Sequence, residues 1–273
     1  MTDAMGSVEP RELADWLLAR GQHWVTTSEA ARLLNIPESH VAPSLAQARR
    51  RGYLFSPTKG LYVAIPPEFR SWGSIPAAHF VDPMMRHLSH DYYVCLLSAA
   101  ETHGFAHQRP QVFQVMTPAR LRDRSFGRVR IEFITSVHTS DRPVDAVNTP
   151  TGTMRVSTRE ATVLDLVAFP NASGALFNVS TIIGDMLMED ALDVARLAEI
   201  AVGYPASVVQ RTGWLLDYMA EQVDVPLDTE PLLPVASSRT TPTPLDPYFG
   251  RSGSLDPRWN VLVVDYPDEE SSP

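Results

Sequence analysis

The chain has 273 residues, of which 44% are hydrophobic and 20% are charged, a composition typical of globular proteins. No apolar run approaches the roughly 20 residues that cross a bilayer, and the N-terminus lacks the pattern of a secretion signal. The single cysteine, Cys95, lies in an apolar stretch and has no partner for an internal disulfide. We therefore expect a cytoplasmic protein without a membrane segment, with a buried Cys95 and with more than one folded unit.

The formal net charge of −9 is unevenly distributed along the sequence. Residues 39–65 carry four basic groups and no acidic group, and residues 104–130 carry six arginines against Asp123 alone. Residues 217–273 hold eleven acidic groups against three arginines and form an acidic tail. Because a polyanion responds to local positive charge, the two basic stretches are the candidate nucleic-acid surfaces.

Two short helices are predicted at the N-terminus. Pro10–Gly21 begins with a proline, which suits the first turn of a helix, and ends at a glycine. Thr26 and Glu29 have the spacing of a capping box, in which each side chain bonds the backbone near the other. The helix that starts there is expected to end at Asn35-Ile36-Pro37.

A third helix and a hairpin follow directly. The third helix is predicted over Ser39–Arg51, and Pro43 within it predicts either a start near Ala42 or a kink. Strand-like residues at 53–55 and 61–65 flank a turn-rich link that contains Lys59. Three helices followed by a hairpin with a basic tip are typical of a winged helix-turn-helix, whose third helix enters the major groove of DNA.

Candidate DNA contacts follow from the face of the third helix opposite its apolar residues. The base-reading candidates are Ser39, His40, Ser44 and Gln47. Gln47 is favoured among them because its amide can bond adenine through two hydrogen bonds. The phosphate candidates are Thr27, Arg49, Arg50, Arg51 and Lys59. The alternative for the three arginines is a solvated helix end, where cations also suit the helix dipole.

The rest of the chain predicts a mixed α/β region that follows a connector at Glu68–Pro83. Its predicted elements are a helix at His87–Gly104, strands at Gln111–Met116, Val129–Thr135 and Thr151–Val156, and a helix from Ser157 to Ala168. Ser157 and Glu160 again have capping-box spacing. Residues 171–219 are predicted to be mostly helical, with an interruption at 203–205, and the chain beyond residue 225 to be extended and weakly packed, with a further edge strand at Trp259–Tyr266 as an alternative.

The expected fold class is therefore α+β: a winged helix-turn-helix, then a mixed α/β domain with a helical end and an acidic tail. The domain boundaries that we predict are 1–70, 84–225 and 226–273. Within the second domain, an arginine-rich link beside a strand turn is a possible extension of the DNA surface. Its residues are Arg120, Arg122, Arg124 and Arg128. RNA binding and a solvated loop are the alternatives for this link.

Several stretches between about residues 20 and 170 share a pattern with a known family. They are residues 26–34, 51–54, 59–63, 92–104, 108–115 and 158–166. Together they resemble the AbiEi-type antitoxins of type IV toxin-antitoxin systems. The resemblance implies a cofactor-free repressor of its own operon, paired genetically with a nucleotidyltransferase toxin and forming no stable complex with it. The DNA partner is expected to be a double-stranded operator, with an inverted repeat as the natural arrangement for paired copies.

Two other functions are alternatives to this one. A stand-alone or ligand-sensing regulator would use the same DNA-binding module. A metal-dependent nuclease would need clustered carboxylates with a nearby lysine, but Glu132 is followed by Phe133 and Ile134, and Lys59 is the only lysine. A metal site at Glu101, His103 and His107 is disfavoured because Gly104 interrupts the helix. We therefore predict that the chain is not an enzyme and binds no metal.

Overall fold

The computed structural model describes residues 7–106 and 110–264, apart from the side chain of Phe249. The chain divides into two compact units. The first consists of the described residues within Met1–Val94, Gln111–Ser140 and Ala146–Arg155, and the second of those within Cys95–Pro110, Asp141–Asp145 and Val156–Pro273. None of the helices in the described ranges combines the length and apolar character needed to cross a bilayer. The domain boundaries expected from the sequence stay a prediction.

The N-terminal part of the first unit combines short helices with a three-stranded antiparallel sheet. Its helices are α1 (Leu13–Leu18), α2 (Thr27–Leu34), α3 (Glu38–Ser44) and α4 (Ala46–Arg50). Its strands are β1 (Trp24–Thr26), β2 (Leu54–Thr58) and β3 (Leu61–Ala64), in the order β1-β3-β2. Leu17, Ala30, Val41 and Leu45 are completely buried in the core that these elements share.

Two helices differ from the sequence expectation. The first is shorter than Pro10–Gly21, because residues before Leu13 and after Leu18 form turns. The third, predicted as Ser39–Arg51, is divided at Leu45, which ends α3 and precedes α4. Pro43 lies inside α3, two residues before this interruption, and the alternative start near Ala42 is wrong because α3 begins at Glu38. A proline inside a helix removes one backbone hydrogen bond and clashes with the preceding turn, which weakens the helix in this region.

The capping box at the start of α2 is confirmed. The Glu29 backbone N–H donates to Thr26 Oγ1 (3.3 Å), and the Thr26 N–H donates to Glu29 Oε2 (2.8 Å). This backbone hydrogen bond is the main cause that lowers the pKa of Glu29, against the opposing effect of burial. A carboxylate with a lowered pKa stabilises the fold above its unfolded pKa and loses that contribution as the pH falls.

Replacing Thr26 by alanine is expected to lower the free energy of unfolding by about 1 kcal/mol near neutral pH, because the first turn of α2 loses its cap. The deficit relative to the unmodified protein should shrink as acid protonates Glu29. Urea unfolding at neutral and acidic pH measures both values. A Thr26→Ser variant retains the hydroxyl and is the control. An unchanged stability in Thr26→Ala would show that the cap is energetically neutral.

Most residues of a six-stranded sheet also belong to the first unit. Its strands are β4 (Tyr93–Val94), β5 (Phe113–Thr117), β6 (Arg124–Phe126), β7 (Val129–Thr135), β8 (Val144–Thr149) and β9 (Gly152–Ser157), in the order β6-β7-β5-β4-β9-β8. The strand predicted at Val129–Thr135 is confirmed, and it begins and ends at the predicted residues. The arginine-rich link contributes β6, which pairs antiparallel with β7.

The helix predicted over His87–Gly104 is wrong in its first half. The structure has a helix α5 at Val81–His87, then strand β4, and then a helix α6 at Leu96–His103. Tyr93 and Val94 pair with Met116 and Val115, so pairing with a distant strand overrides the local helical pattern. The connector at Glu68–Pro83 is also ordered, with 3₁₀ turns at Pro67–Trp72 and Ala77–His79. Gly104 ends α6 with a φ of 92°, a left-handed conformation that favours glycine at the end of a helix.

The second unit is mainly helical. After α6, its helices are α7 (Arg159–Ala168), α8 (Ala175–Met188), α9 (Val194–Ala201), α10 (Ala206–Gln222) and α11 (Leu233–Ala236). The predicted interruption at 203–205 separates α9 from α10. The predicted cap of α7 is wrong by one residue: Thr158 accepts from the Ala161 N–H, whereas Ser157 ends β9 and shares a hydrogen bond with Thr162. Cys95 is buried, as expected.

The segment from residue 226 to residue 264 is packed, which corrects the expectation of a weakly packed tail. It forms a sheet of β10 (Thr243–Pro244), β12 (Val261–Val263) and β11 (Ser254–Asp256), in that order. Trp259 is only 1% exposed and donates through Nε1 to Asp217 Oδ2 of α10 (2.6 Å). A Cβ on Gly213 would lie 2.2 Å from the Trp259 ring, so only glycine leaves room for the indole. The tail beyond residue 264 lies outside the described residues.

Candidate nucleic-acid interface

Charge is segregated between the two units. The sequence of the first contains 15 Lys and Arg residues against 11 Asp and Glu residues, a net charge of +4. The sequence of the second contains 8 against 21, a net charge of −13, and the two values sum to the −9 of the whole chain. Phosphate contacts require local cations. The first unit is therefore the better candidate for a nucleic-acid surface.

The α3–α4 region presents most of the sequence-predicted residues to solvent. Ser39 and His40 are exposed in the first turn of α3, and Gln47 is exposed on α4. Arg49, Arg50 and Arg51 are exposed at the end of α4. Two candidates are less accessible: Ser44, at the end of α3, and Thr27, at the start of α2, are both half-buried. The break at Leu45 puts Ser39 and Gln47 on separate helices, so one straight helix does not carry all the base-reading candidates.

The β2–β3 hairpin (Leu54–Ala64) presents Lys59 at its turn. Lys59 is exposed, and the backbone around it is held from two sides. The Thr27 N–H donates to the Gly60 carbonyl (2.8 Å), and His87 Nε2 lies 3.0 Å from the Lys59 carbonyl oxygen. Gly60 has a φ of 87°, and a Cβ there would lie 3.1 Å from His87 Nε2. The turn therefore holds the backbone of Lys59 in place while the side chain remains in solvent.

Arg124 does not share the exposure of its neighbours in the arginine-rich link. It is half-buried, and its Nη1 donates to the Pro57 carbonyl of β2 (2.6 Å). Burial lowers the pKa of its guanidinium. Phe55 of β2 and Phe126 of β6 also pack with their ring centroids 5.6 Å apart. Arg124 therefore fastens β6 to the β2–β3 hairpin, and its position favours a structural role over a phosphate contact.

Arg120, Arg122 and Arg128 remain exposed. The β6–β7 turn packs on the 3₁₀ turn at Pro67–Trp72, where the Arg128 N–H donates to the Trp72 carbonyl (3.0 Å). The guanidinium carbon of Arg70, in the same 3₁₀ turn, lies 4.6 Å from the centroid of the Tyr53 ring. Tyr53 is two residues after Arg51 in the sequence. These contacts connect the end of α4 with the β6–β7 turn inside the first unit. Sequence analysis did not identify Arg70, because an isolated arginine in a connector has no distinguishing pattern.

The structure assigns other partners to the groups considered for metal chemistry. Gln114 Nε2 donates to Glu132 Oε2 (3.0 Å), and His103 Nε2 lies 2.7 Å from the Ser157 carbonyl oxygen. His107 lies outside the described residues. Within residues 7–106 and 110–264, no group of three or more His, Cys, Asp or Glu side chains is arranged to hold a metal ion. The nuclease alternative therefore has no ligand cluster to support it in this part of the chain.

Comparison with known proteins finds a family match for the middle part of the chain. Residues 92–218 match the AbiEi antitoxin C-terminal domain family, which confirms the resemblance expected from the sequence. A crystal structure of the Rv2827c protein from Mycobacterium tuberculosis has a similar fold, with a TM-score of 0.65 and 16% identity. The similarity covers 92% of this chain and 89% of that one, and at this identity it concerns the fold alone. A search of curated proteins finds no match.

Proposed function

We propose that the chain, whose residues 92–218 match the AbiEi antitoxin C-terminal domain family, is a DNA-binding antitoxin that represses its own operon. In this proposal α2, α3, α4 and the β2–β3 hairpin form a winged helix-turn-helix, and the hairpin is its wing. The observation that carries the proposal is the segregation of charge: the unit with the exposed α3–α4 surface has a net charge of +4 within a chain of net charge −9.

The DNA contacts divide into base-reading and phosphate-binding groups. Ser39, His40 and Gln47 are exposed polar side chains of the right type for base edges, with Ser44 as a half-buried fourth. Arg49, Arg50, Arg51 and Lys59 serve the phosphates. Thr27 contributes its half-buried hydroxyl at the start of α2. Arg120, Arg122 and Arg128 extend the phosphate surface, whereas Arg124 holds the hairpin in place.

The toxin partner belongs to the same proposal. The chain counters a nucleotidyltransferase toxin encoded in the same operon, without forming a stable complex with it. Co-expression with that toxin should restore growth, whereas the two purified proteins should not co-elute in size-exclusion chromatography. If growth is not restored, the antitoxin function is contradicted, and the alternative of a stand-alone regulator with the same DNA-binding module is favoured.

The direct test of the DNA proposal is binding of the purified full chain to the duplex upstream of its own gene, with a scrambled duplex of equal length as the control. Fluorescence anisotropy across a salt series gives both affinities and their salt dependence. We expect tight binding to the upstream duplex and much weaker binding to the scrambled one. Equally weak binding to both would remove the proposed operator function.

Lys59→Ala should weaken binding to the upstream and scrambled duplexes alike, because a phosphate contact carries no sequence information. The slope of log K against log salt should fall in magnitude by about 1, the value for one lost phosphate contact. The same anisotropy series measures it. A Lys59→Arg variant keeps the charge and should retain the slope. An unchanged slope in Lys59→Ala would exclude Lys59 from the phosphate contacts.

A further inference from the structure

A cleft of about 390 Å³ lies beside the β2–β3 hairpin, entirely within the first unit. Its volume falls in the lower part of the range for small-molecule sites, about 300–1,000 Å³. Trp24 of β1 and Leu61 of β3 provide apolar walls, and the indole is 38% exposed. The other lining residues include Arg86 and His87 of α5 and threonines of the β8–β9 hairpin. The cleft thus combines an accessible aromatic face with polar groups.

The accessible charge in the cleft is positive. Asp82 is its only carboxylate among the lining residues, and its side chain is 14% exposed. The two oxygens of Asp82 are bound by Arg86 Nε (2.9 Å) and by the Tyr92 hydroxyl (3.1 Å). The Arg86 side chain is 74% exposed, and its ion pair with Asp82 uses Nε, so its guanidinium is accessible to a ligand. Burial, and secondarily the charge of His23, lower the pKa of His79 and favour its neutral form.

The cleft shares residues with the support of the hairpin turn. His87, which lines the cleft, has Nε2 3.0 Å from the Lys59 carbonyl oxygen. Leu61, another lining residue, is paired with Thr26 of β1 and with Thr58 of β2. A molecule in the cleft would therefore contact Leu61, which is only two residues after Lys59, the cation at the turn.

We propose that this cleft binds a small anion in which an aromatic ring is joined, directly or through a sugar, to one phosphate or carboxylate group. The ring stacks on Trp24, and the anionic group is bound by the terminal nitrogens of Arg86. Occupancy weakens DNA binding, because a negative charge at the base of the hairpin repels the phosphates that Lys59 contacts. This second step rests on the proposed function, whereas the binding site itself does not.

Isothermal titration calorimetry of the full chain without DNA tests the site. The probes are adenosine 5′-monophosphate and salicylate, which carry the two kinds of anionic group. Adenosine, which lacks the anion, and ribose 5-phosphate, which lacks the aromatic ring, are the matched controls. We expect at least one probe to bind about tenfold more tightly than either control, since a charge-assisted hydrogen bond and a stacked ring each contribute. The tighter of the two probes identifies the anion.

Variants then locate the bound molecule. Arg86→Gln should weaken binding of the tighter probe about tenfold, and Arg20→Gln, an exposed arginine outside the cleft, should leave it unchanged. Trp24→Leu should weaken it as well, and thermal unfolding checks that each variant is folded. Probes that bind no better than the controls, or equal binding by Arg86→Gln and Arg20→Gln, would overturn the site.

The regulatory step is measured separately by anisotropy with the upstream duplex. A saturating probe should lower the DNA affinity severalfold, and saturating DNA should lower the probe affinity by the same factor, as thermodynamic linkage requires. Probe binding without any change in DNA affinity would overturn the regulation and leave the site in place. If the protein without a probe does not bind the upstream duplex, the proposed function is overturned. Calorimetry without DNA would still show whether the cleft binds the probe.

Discussion

Replacing Arg49, Arg50 and Arg51 together by alanine is expected to weaken binding to the upstream duplex about 100-fold at physiological salt. The estimate follows from counterion release, in which each phosphate contact adds about 0.9 to the slope of log K against log salt. The three side chains are exposed at the end of α4, where each can reach a phosphate. Fluorescence anisotropy should therefore show a slope smaller in magnitude by about 3.

The control for this variant removes positive charge elsewhere in the same unit. Arg11 and Arg20 are exposed near α1, so alanine at both positions lowers the net charge without touching α4. The control should retain nearly the full slope, since long-range charge is screened beyond about 10 Å at 0.1 M salt. A slope that is the same in the triple variant and the unmodified protein would identify Arg49–Arg51 as a solvated helix end.

Replacing Trp259 by alanine is expected to cost about 3–5 kcal/mol of stability in the second unit, because a fully buried indole leaves a large cavity. Its Nε1 also donates to Asp217 Oδ2, whose carboxylate binds Arg258 Nε (3.1 Å) as well. Differential scanning calorimetry should show a lower transition temperature for the second unit. Limited proteolysis should then cut the chain between residues 226 and 264.

Two further variants separate packing from the hydrogen bond. Trp259→Phe keeps most of the ring but loses the donor to Asp217, so its cost should be smaller than that of Trp259→Ala. Gly213→Ala introduces a methyl group into the space of the indole and should cost about 1–3 kcal/mol by overpacking. If Trp259→Ala unfolds like the unmodified protein, the sheet β10-β12-β11 does not depend on this contact.

Features that depend on a few neighbouring residues could be predicted from the sequence. The capping box of Thr26 and Glu29 is of this kind, since both partners lie in one helical turn. Strand Val129–Thr135 is another, because apolar and polar residues alternate along it. An irregularity of the third helix could be expected from the covalent structure of Pro43, and the helix is interrupted at Leu45. In each case the physical cause lies within a few residues of the effect.

Features that depend on distant partners could not be predicted. Tyr93 and Val94 are in a strand because β5, some twenty residues later, pairs with them. Trp259 packs into the space that Gly213 of α10 leaves open, and no local pattern in the Pro-rich segment indicates this contact. Proline and acidic residues suggested weak packing there, yet Leu232, Leu245 and Trp259 are buried.

The candidate DNA-binding residues also divide into features that the sequence indicates and features that only the fold shows. Charge distribution identified the arginine-rich link as a whole, but Arg124 and Arg128 are indistinguishable in sequence. Only the fold shows that Arg124 donates to Pro57 whereas Arg128 remains exposed. The cleft at Trp24 and Arg86 had no counterpart in the sequence analysis, because its walls come from β1, α5 and the β8–β9 hairpin, which are far apart in the chain.

The outer strand of the hairpin also limits how two copies can associate. Strand β2 is the edge of its sheet, and an edge strand with free backbone groups invites pairing with another chain. Pro57 in β2 has no amide hydrogen, its carbonyl already accepts from Arg124, and the register shifts between Phe55 and Thr58. These features block continuous edge-to-edge pairing, so two hairpins are protected from fusing into one sheet and from seeding aggregates. If two copies bind an inverted repeat, as proposed, they should meet through surfaces other than this edge.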